Sequence, residues 1–186
     1  MLRFVSLSEV DSHEVEALLD RAFGRDRHGR TAYAVREGTQ PIPALSFAAC
    51  DGAALVGTIQ CWPVRLAGDD GSTTPLTMVG PVAVDPPRQQ AGVGHALMAR
   101  MLEAAAATGA DRALMLIGDP EYYARFFAFT ADRTAQWRLP GPFEPRRLLA
   151  RGADVPDVAG MLGPDVAAVW SSRADSSTSL AAGTER

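Results

Sequence analysis

The chain opens with a short alternating run, LRFVSL (2–7), followed by DSHEVEALLDRAFG (11–24), in which Val15, Leu18, Leu19 and Ala22 recur at helical spacing. The first run predicts a strand. The second predicts a helix, capped by Asp11 or Ser12 and ended by Gly24. Residues 24–43, GRDRHGRTAYAVREGTQPIP, break the periodicity with charge, glycine and proline, the pattern of a long loop or broken helix that in an enzyme often covers a site. Two apolar runs, ALSFAAC and AALVGTIQCWPVRL, flank Asp51-Gly52 and predict a β-hairpin with φ > 0 turn chemistry. A second turn is read at AGDDGSTT (67–74).

PLTMVGPVAV (75–84) predicts the next strand, with Gly80-Pro81 inside it. Glycine weakens a strand and proline cannot donate to the ladder, so a bulge or local splaying is expected there. A helix follows from about 92 to 108, with Val93, Leu97 and Met101 on one side and Gly109 at its end. RALMLIG (112–118) is nearly all apolar, which suits a strand covered on both faces and places helices on each side of the sheet. PEYYARFFAF (120–129) predicts a short helix running into another strand, and WRLPGPFEPRRLLARGADVPDVAGML (137–162) supplies the closing elements. One domain over 1–165 is expected, with a tail from 166 that is disordered from about Ser171, where composition shifts to SSRADSSTSLAAGTER.

Of 186 residues, 47% are hydrophobic and 22% charged, a composition that supports a sizeable core. No run approaches the roughly 18 apolar residues of a membrane span, and the N-terminus is acidic by Glu9, so the expectation is a cytoplasmic protein that binds no membrane. A net charge of −4 and a pI near 5.3 argue against nucleic acid as partner. Lysine is absent, which excludes any phosphate loop that depends on one. The hairpin register sets Cys61 several residues before Cys50, predicting two free, buried thiols. His13, His28 and His95 are scattered and no CxxC accompanies them, so no metal site is expected.

The candidate chemistry lies at QQAGVG (89–94). A helix start exposes backbone N–H groups with no intrahelical acceptor, and the helix dipole adds about half a positive charge, so a diphosphate can bind there through backbone alone. Alternatively, Gly92 and Gly94 only permit a tight turn and close packing.

The order of elements decides between these readings: a bulged strand, VDPPRQQAGVGHAL, a long helix, a buried strand, then GDPEYYARFFAF (118–129). It resembles the GCN5-related N-acetyltransferase (GNAT) family, in particular predicted bacterial members with a Gly-Asp-Pro-x-Tyr-Tyr turn. The family signature Gln/Arg-x-x-Gly-x-Gly/Ala is met by Gln89, Gly92 and Gly94, with Val84-Asp85-Pro86 just ahead. The resemblance implies an α/β (α+β) fold with a mixed, mostly antiparallel central sheet, a bulged and splayed central strand pair, and helices on both faces. It implies acetyl-CoA as cosubstrate, no metal, and direct acetyl transfer to a primary amine of an unidentified acceptor. The pyrophosphate would lie on Gln89, Gln90, Ala91, Gly92, Val93, Gly94 and His95, and the pantetheine arm along Val82, Ala83 and Val84. Ala91 stands where relatives often carry Arg or Lys, with Arg88 near enough to supply charge. His95 stands in place of Ser or Thr, as a phosphate donor or simply on the helix flank. The general acid of the family maps to Tyr123, with Tyr122 given to the aromatic core, and Ala128 replaces a usual glycine. Asp119 is a second catalytic candidate, and Glu121 lies close by. No base stands out, because Met78 occupies the strand position of the glutamate used by some members; Glu37 in the 24–43 loop is a candidate for meeting an ammonium. A homodimer is left open. A non-catalytic acyl-CoA sensor and an interaction domain are the alternatives.

Overall fold

The computed structural model describes residues 1–168, so the tail expected from Ser171 lies outside the described residues. In chain order the elements are β1 (Leu2–Ser6), α1 (Ser12–Phe23), α2 (Thr31–Val35), β2 (Phe47–Asp51), β3 (Ala54–Gly68), β4 (Thr73–Val84), α3 (Val93–Thr108), β5 (Leu114–Ile117), α4 (Pro120–Phe127), β6 (Trp137–Arg138), β7 (Leu148–Arg151) and β8 (Gly160–Pro164). These strands form one mixed sheet with β1, β2, β3, β4, β5 and β7 as successive neighbours, while β8 joins the far half of β3 and carries β6. The β4–β5 and β6–β8 pairs are parallel and the rest antiparallel.

Local chemistry explains most boundaries. Asp11 caps α1 by accepting from the His13 N–H at 2.7 Å, and Gly24 ends it at φ 88°. The 24–43 segment is a broken helix, two helical turns followed by the short α2. Asp51 and Gly52 turn β2 into β3, and Cys50 and Cys61 are buried and free, the first opposite Leu55 and the second opposite Val79. The expected strand after α4 is not formed: the chain there makes a single bridge, Thr130 to Ala150, because Ala128 turns it with a positive φ of 57°.

The sheet buries two faces. Leu97, Met98, Met101 and Ala105 of α3 pack with Ile59, Cys61, Val79 and Leu116, each large side chain contributing on the order of 1.5–3 kcal/mol. On the opposite face Val15, Leu18 and Leu19 of α1 cover Ala83, and Val35 of α2 joins Val64, Leu66, Met78 and Met115. Neighbouring residues of β5, Leu114 and Met115, thus go to opposite cores, as its unbroken apolar run requires.

The Gly80-Pro81 pair produces the predicted irregularity. Against β3, Val82 pairs with Ile59 but Val79 pairs with Cys61, so β4 spends one extra residue across the pair. β4 and β5 pair only through Thr77–Leu114 and Met78–Met115 and then part. A cleft opens between them.

Candidate active site

The cleft is built by the strands that flank it. Asp85 N–H donates to the Val56 carbonyl at 2.9 Å, which sets the alternation of the antiparallel ladder. Ala83 therefore spends its backbone groups on Thr58, while those of Val82 and Val84 face the open edge where β5 has departed. Unpaired strand groups of this kind need a partner, and an extended amide-bearing chain is the natural one.

Beyond the cleft lies the mouth of α3. Gly92 takes the left-handed conformation, φ 75° and ψ 9°, as helix N-cap. Among the described residues, the N–H groups of Gly92, Val93, Gly94 and His95 find no carbonyl, the first bond into the helix being Ala96 N–H to the Gly92 carbonyl at 3.0 Å. A cavity of about 420 Å³ stands over these groups and brings together Val82, Val84, Gln89, Gln90, Gly92, Gly94 and His95. Ala83, Ala91 and Val93 do not line it: Ala83 points to α1, and Val93 is buried beneath β3. The His95 ring packs on Phe126 and Phe127, with centroids 5.6 and 4.9 Å away, and Phe126 is 49% exposed at the rim. Arg88 turns away from the mouth and donates to Asp51 at 2.7 Å, so its charge is held by the β2–β3 turn and is not spent on the cavity.

A second cavity, about 900 Å³, occupies the cleft itself, between Gly80, Pro81 and Val82 on one wall and Leu116, Ile117 and Gly118 on the other. Both Tyr122 and Tyr123 line it; Tyr122 packs on Phe126 and Phe127, with centroids 5.3 and 5.7 Å away, as its assignment to the aromatic core expects, and also lines the smaller cavity. Burial pushes the Tyr123 phenol up to about 12. Its ring lies against Gly118: a Cβ at that position would sit 2.4 Å from Tyr123 Cε2. Asp119 is exposed and caps α4, accepting from the Glu121 N–H at 3.2 Å. Met78 is buried in the core and leaves that strand position without a base. Glu144 and Arg147, from the loop before β7, reach the same cavity.

The third cavity, about 1050 Å³, lies on the α1 and α2 side and shares Arg30, Thr31, Tyr33, Arg36 and Pro142 with the cleft. Exposed Glu37 is on its wall. Arg36 is 6% exposed, its guanidinium between the rings of Tyr33 and Trp62 at 4.2 and 4.1 Å, and Nη1 donates to the Gly80 carbonyl at 3.4 Å. Residue-by-residue reading passed over Arg36, Gln60, Trp62 and Glu144. The one local signal was Gln60, a polar residue inside the apolar VGTIQCWPV run.

The chain's likeness to known proteins agrees with this geometry. Residues 3–127 match the family model described as an acetyltransferase (GNAT) domain. The GNAT family N-acetyltransferase YhbS of Escherichia coli, solved in complex with CoA, superposes with a TM-score of 0.66 at 22% identity, over 89% of each chain. A GNAT family acetyltransferase from Brucella melitensis, solved in complex with acetyl-CoA, gives a TM-score of 0.63 at 24% identity, over 90% of this chain and 97% of that one. A search of curated proteins gives no match. With a bulged β4 parting from β5, bare N–H groups at the mouth of α3 and the family model spanning both, the chain belongs to the GNAT family of acyltransferases.

Proposed function

We propose that the protein is an acetyl-CoA-dependent N-acetyltransferase that passes an acetyl group directly to a primary amine. The observation that carries this reading is the parting of β4 from β5 past Met78, which leaves the Val82 and Val84 backbone open, with Val82 lining both the cavity at the α3 mouth and the cleft that holds Tyr123. The cradle fits a diphosphate, because bare N–H groups converge on it and the position nearest them, Gly94, carries no side chain.

When bound, acetyl-CoA supplies a thioester: a nitrogen–carbon bond forms, the carbon–sulfur bond breaks, and one proton passes from nitrogen to sulfur. Val82 and Val84 hold an amide-bearing arm as a pseudo-strand, and edge N–H groups beside the bulge are donors for a carbonyl oxygen that gains charge. Tyr123 is the proton donor to the departing sulfur. With its phenol near 12, giving a proton to a thiolate of a thiol near 8.5 is uphill by about 5 kcal/mol. Tyr123 therefore acts as a relay, taking the proton of the acylated nitrogen as it gives up its own. Asp119 has the capping role here, and Glu144 is the carboxylate placed to receive an acceptor's proton or ammonium.

The test is release of free CoA thiol from acetyl-CoA across a panel of primary amines, with product mass to identify N-acetylation. Thiol release with an acetylated amine supports the reading. Binding of acetyl-CoA without turnover on any amine would replace it with the acyl-CoA sensor.

A further inference from the structure

Two neighbouring arginines of the 24–43 segment are buried in opposite ways. Arg27 is 2% exposed and fully compensated: Nη2 donates to Glu16, Nε to Asp20 at 3.0 Å, and Nη1 to the Tyr33 hydroxyl. Arg36 is nearly as buried, yet no carboxylate lies within ion-pair distance of it among the described residues. Burial pulls the Arg36 guanidinium down to about 10. A cation largely taken out of water is costly, and among the described residues Arg36 has only the more distant charge of Glu16 and the neighbouring Tyr33 to offset it.

Its geometry says what would compensate it. The Tyr33 and Trp62 rings crowd the guanidinium at 4.2 and 4.1 Å, which leaves its remaining N–H donors as the place for a further partner. Nη1 already donates to Gly80 at the bulge, which sets Arg36 beside the cleft, and the exposed part of the side chain opens onto the two larger cavities and not onto the α3 mouth. Gln60, two residues before Trp62 on the same face of β3, is 5% exposed, lines the 1050 Å³ cavity and has no side-chain hydrogen bond among the described residues. The Gln60 amide and the Arg36 guanidinium edge line one cavity and reach its solvent with polar atoms that no protein group pairs among the described residues, and together they form a receptor for a planar oxyanion.

We infer that the acceptor amine carries a carboxylate, which docks in the plane of the Arg36 guanidinium with the Gln60 carboxamide beside it. A single arginine, already bonded to Gly80, suits one negative charge, and so a carboxylate better than a phosphate dianion. The inference rests on the acetyltransferase reading and names its acceptor class: an amino acid or a carboxylated amine, and not a polyamine.

The experiment compares glycine, β-alanine, γ-aminobutyrate and L-phenylalanine, each beside its primary amide, as acceptors with acetyl-CoA. At least one free acid is expected to exceed its amide in kcat/KM by about 100-fold, the scale of a bidentate charge-assisted contact. Arg36→Gln should bring that ratio close to one, through KM for the acid, with acetyl-CoA affinity by calorimetry changed less than about threefold. Gln60→Leu keeps the packing and should lower the ratio about tenfold, which tests the site even if Arg36→Gln folds poorly. Where turnover is absent, binding of acids and amides to the CoA-loaded protein is measured instead; acids that bind no better than amides, or an acid preference untouched by both variants, would overturn the inference. Amides acetylated as well as acids would also overturn it while leaving the transferase reading intact. Loss of acetyl-CoA binding by the wild-type protein would remove the transferase reading itself.

Discussion

Position 94 separates the coenzyme cradle from the fold, with Gly94→Ala testing the fold and Gly94→Val the cradle. A Cβ at Gly94 meets Val84 Cγ2 at 3.5 Å and Val82 Cγ1 at 3.9 Å, both ordinary contacts, so the methyl group fits the protein without displacing anything. Position 94 is in the first turn of α3, where alanine in place of glycine gains up to about 1 kcal/mol of helix propensity. Half of that raises Tm by roughly 1–2 °C for a chain of this size. Gly92 cannot serve for the same test, because its φ of 75° strains any side chain placed there. The family signature admits alanine at this position, so the cradle is tested with Gly94→Val, whose branched side chain stands between Val82, Val84 and the bare N–H groups, in the 420 Å³ cavity, and holds a phosphate oxygen off hydrogen-bond distance. Acetyl-CoA at 100 times its wild-type Kd stabilises the protein by about 2.7 kcal/mol. That corresponds to roughly 5–11 °C. If the variant loses 100-fold in affinity, the same concentration gives RT ln 2, about 0.4 kcal/mol, or roughly 1 °C. Scanning calorimetry with and without acetyl-CoA reads both effects. A full-sized ligand shift in Gly94→Val, or a ligand-free Tm of Gly94→Ala several degrees below wild type, would refute the placement of the diphosphate.

Tyr123→Phe should lower turnover by about 100-fold, near the small end of general acid effects, with acetyl-CoA affinity unchanged; full turnover under conditions where chemistry limits the rate would pass the role to Tyr122 or water. Gly118→Ala should lower turnover similarly by pushing the Tyr123 ring off its seat, a contact of 2.4 Å being impossible to keep; wild-type kinetics would mean that the ring's position is immaterial. Ala128→Gly should stabilise the protein by about 0.5–1 kcal/mol, since the left-handed penalty for alanine at φ 57° exceeds the extra chain entropy of glycine; denaturant midpoints check this, and a lower midpoint contradicts it. Alkaline pH should destabilise the fold in two stages: burial raises both the Cys61 thiol and the Tyr123 phenol, so stability is full below about pH 8.5 and falls as the unfolded chain alone ionises, first at cysteine and then, between pH 10 and about 12, at tyrosine. Cys61→Ala should flatten the first stage, and an unchanged slope there would rule out Cys61 as its source.

The parts that the chain declares locally are those governed by backbone conformation and side-chain period. Asp11 and Gly24 bound α1, Asp51-Gly52 turns the hairpin, Gly80-Pro81 bulges β4, and QQAGVG opens α3, because each depends on a few consecutive residues and their allowed φ and ψ. The bare N–H groups at the α3 mouth follow from the same local rule, so the proposed coenzyme end of the cleft could be read from the sequence. The proposed acceptor end could not. Arg36 sits in a charged, glycine-containing stretch that reads as solvated loop, and only packing of α2 against β3 places its guanidinium between Tyr33 and Trp62 and against Gly80. Arg88 went the other way, close in sequence to the proposed phosphate site but drawn off by Asp51 at the β2–β3 turn. Gly118 is in contact with Tyr123 because α4 folds back over the end of β5, and Glu144 reaches the cleft from a loop some twenty residues on. Side chains brought together from distant positions leave no periodicity behind, since which charge is compensated, and which is kept bare, is settled only where separate elements meet.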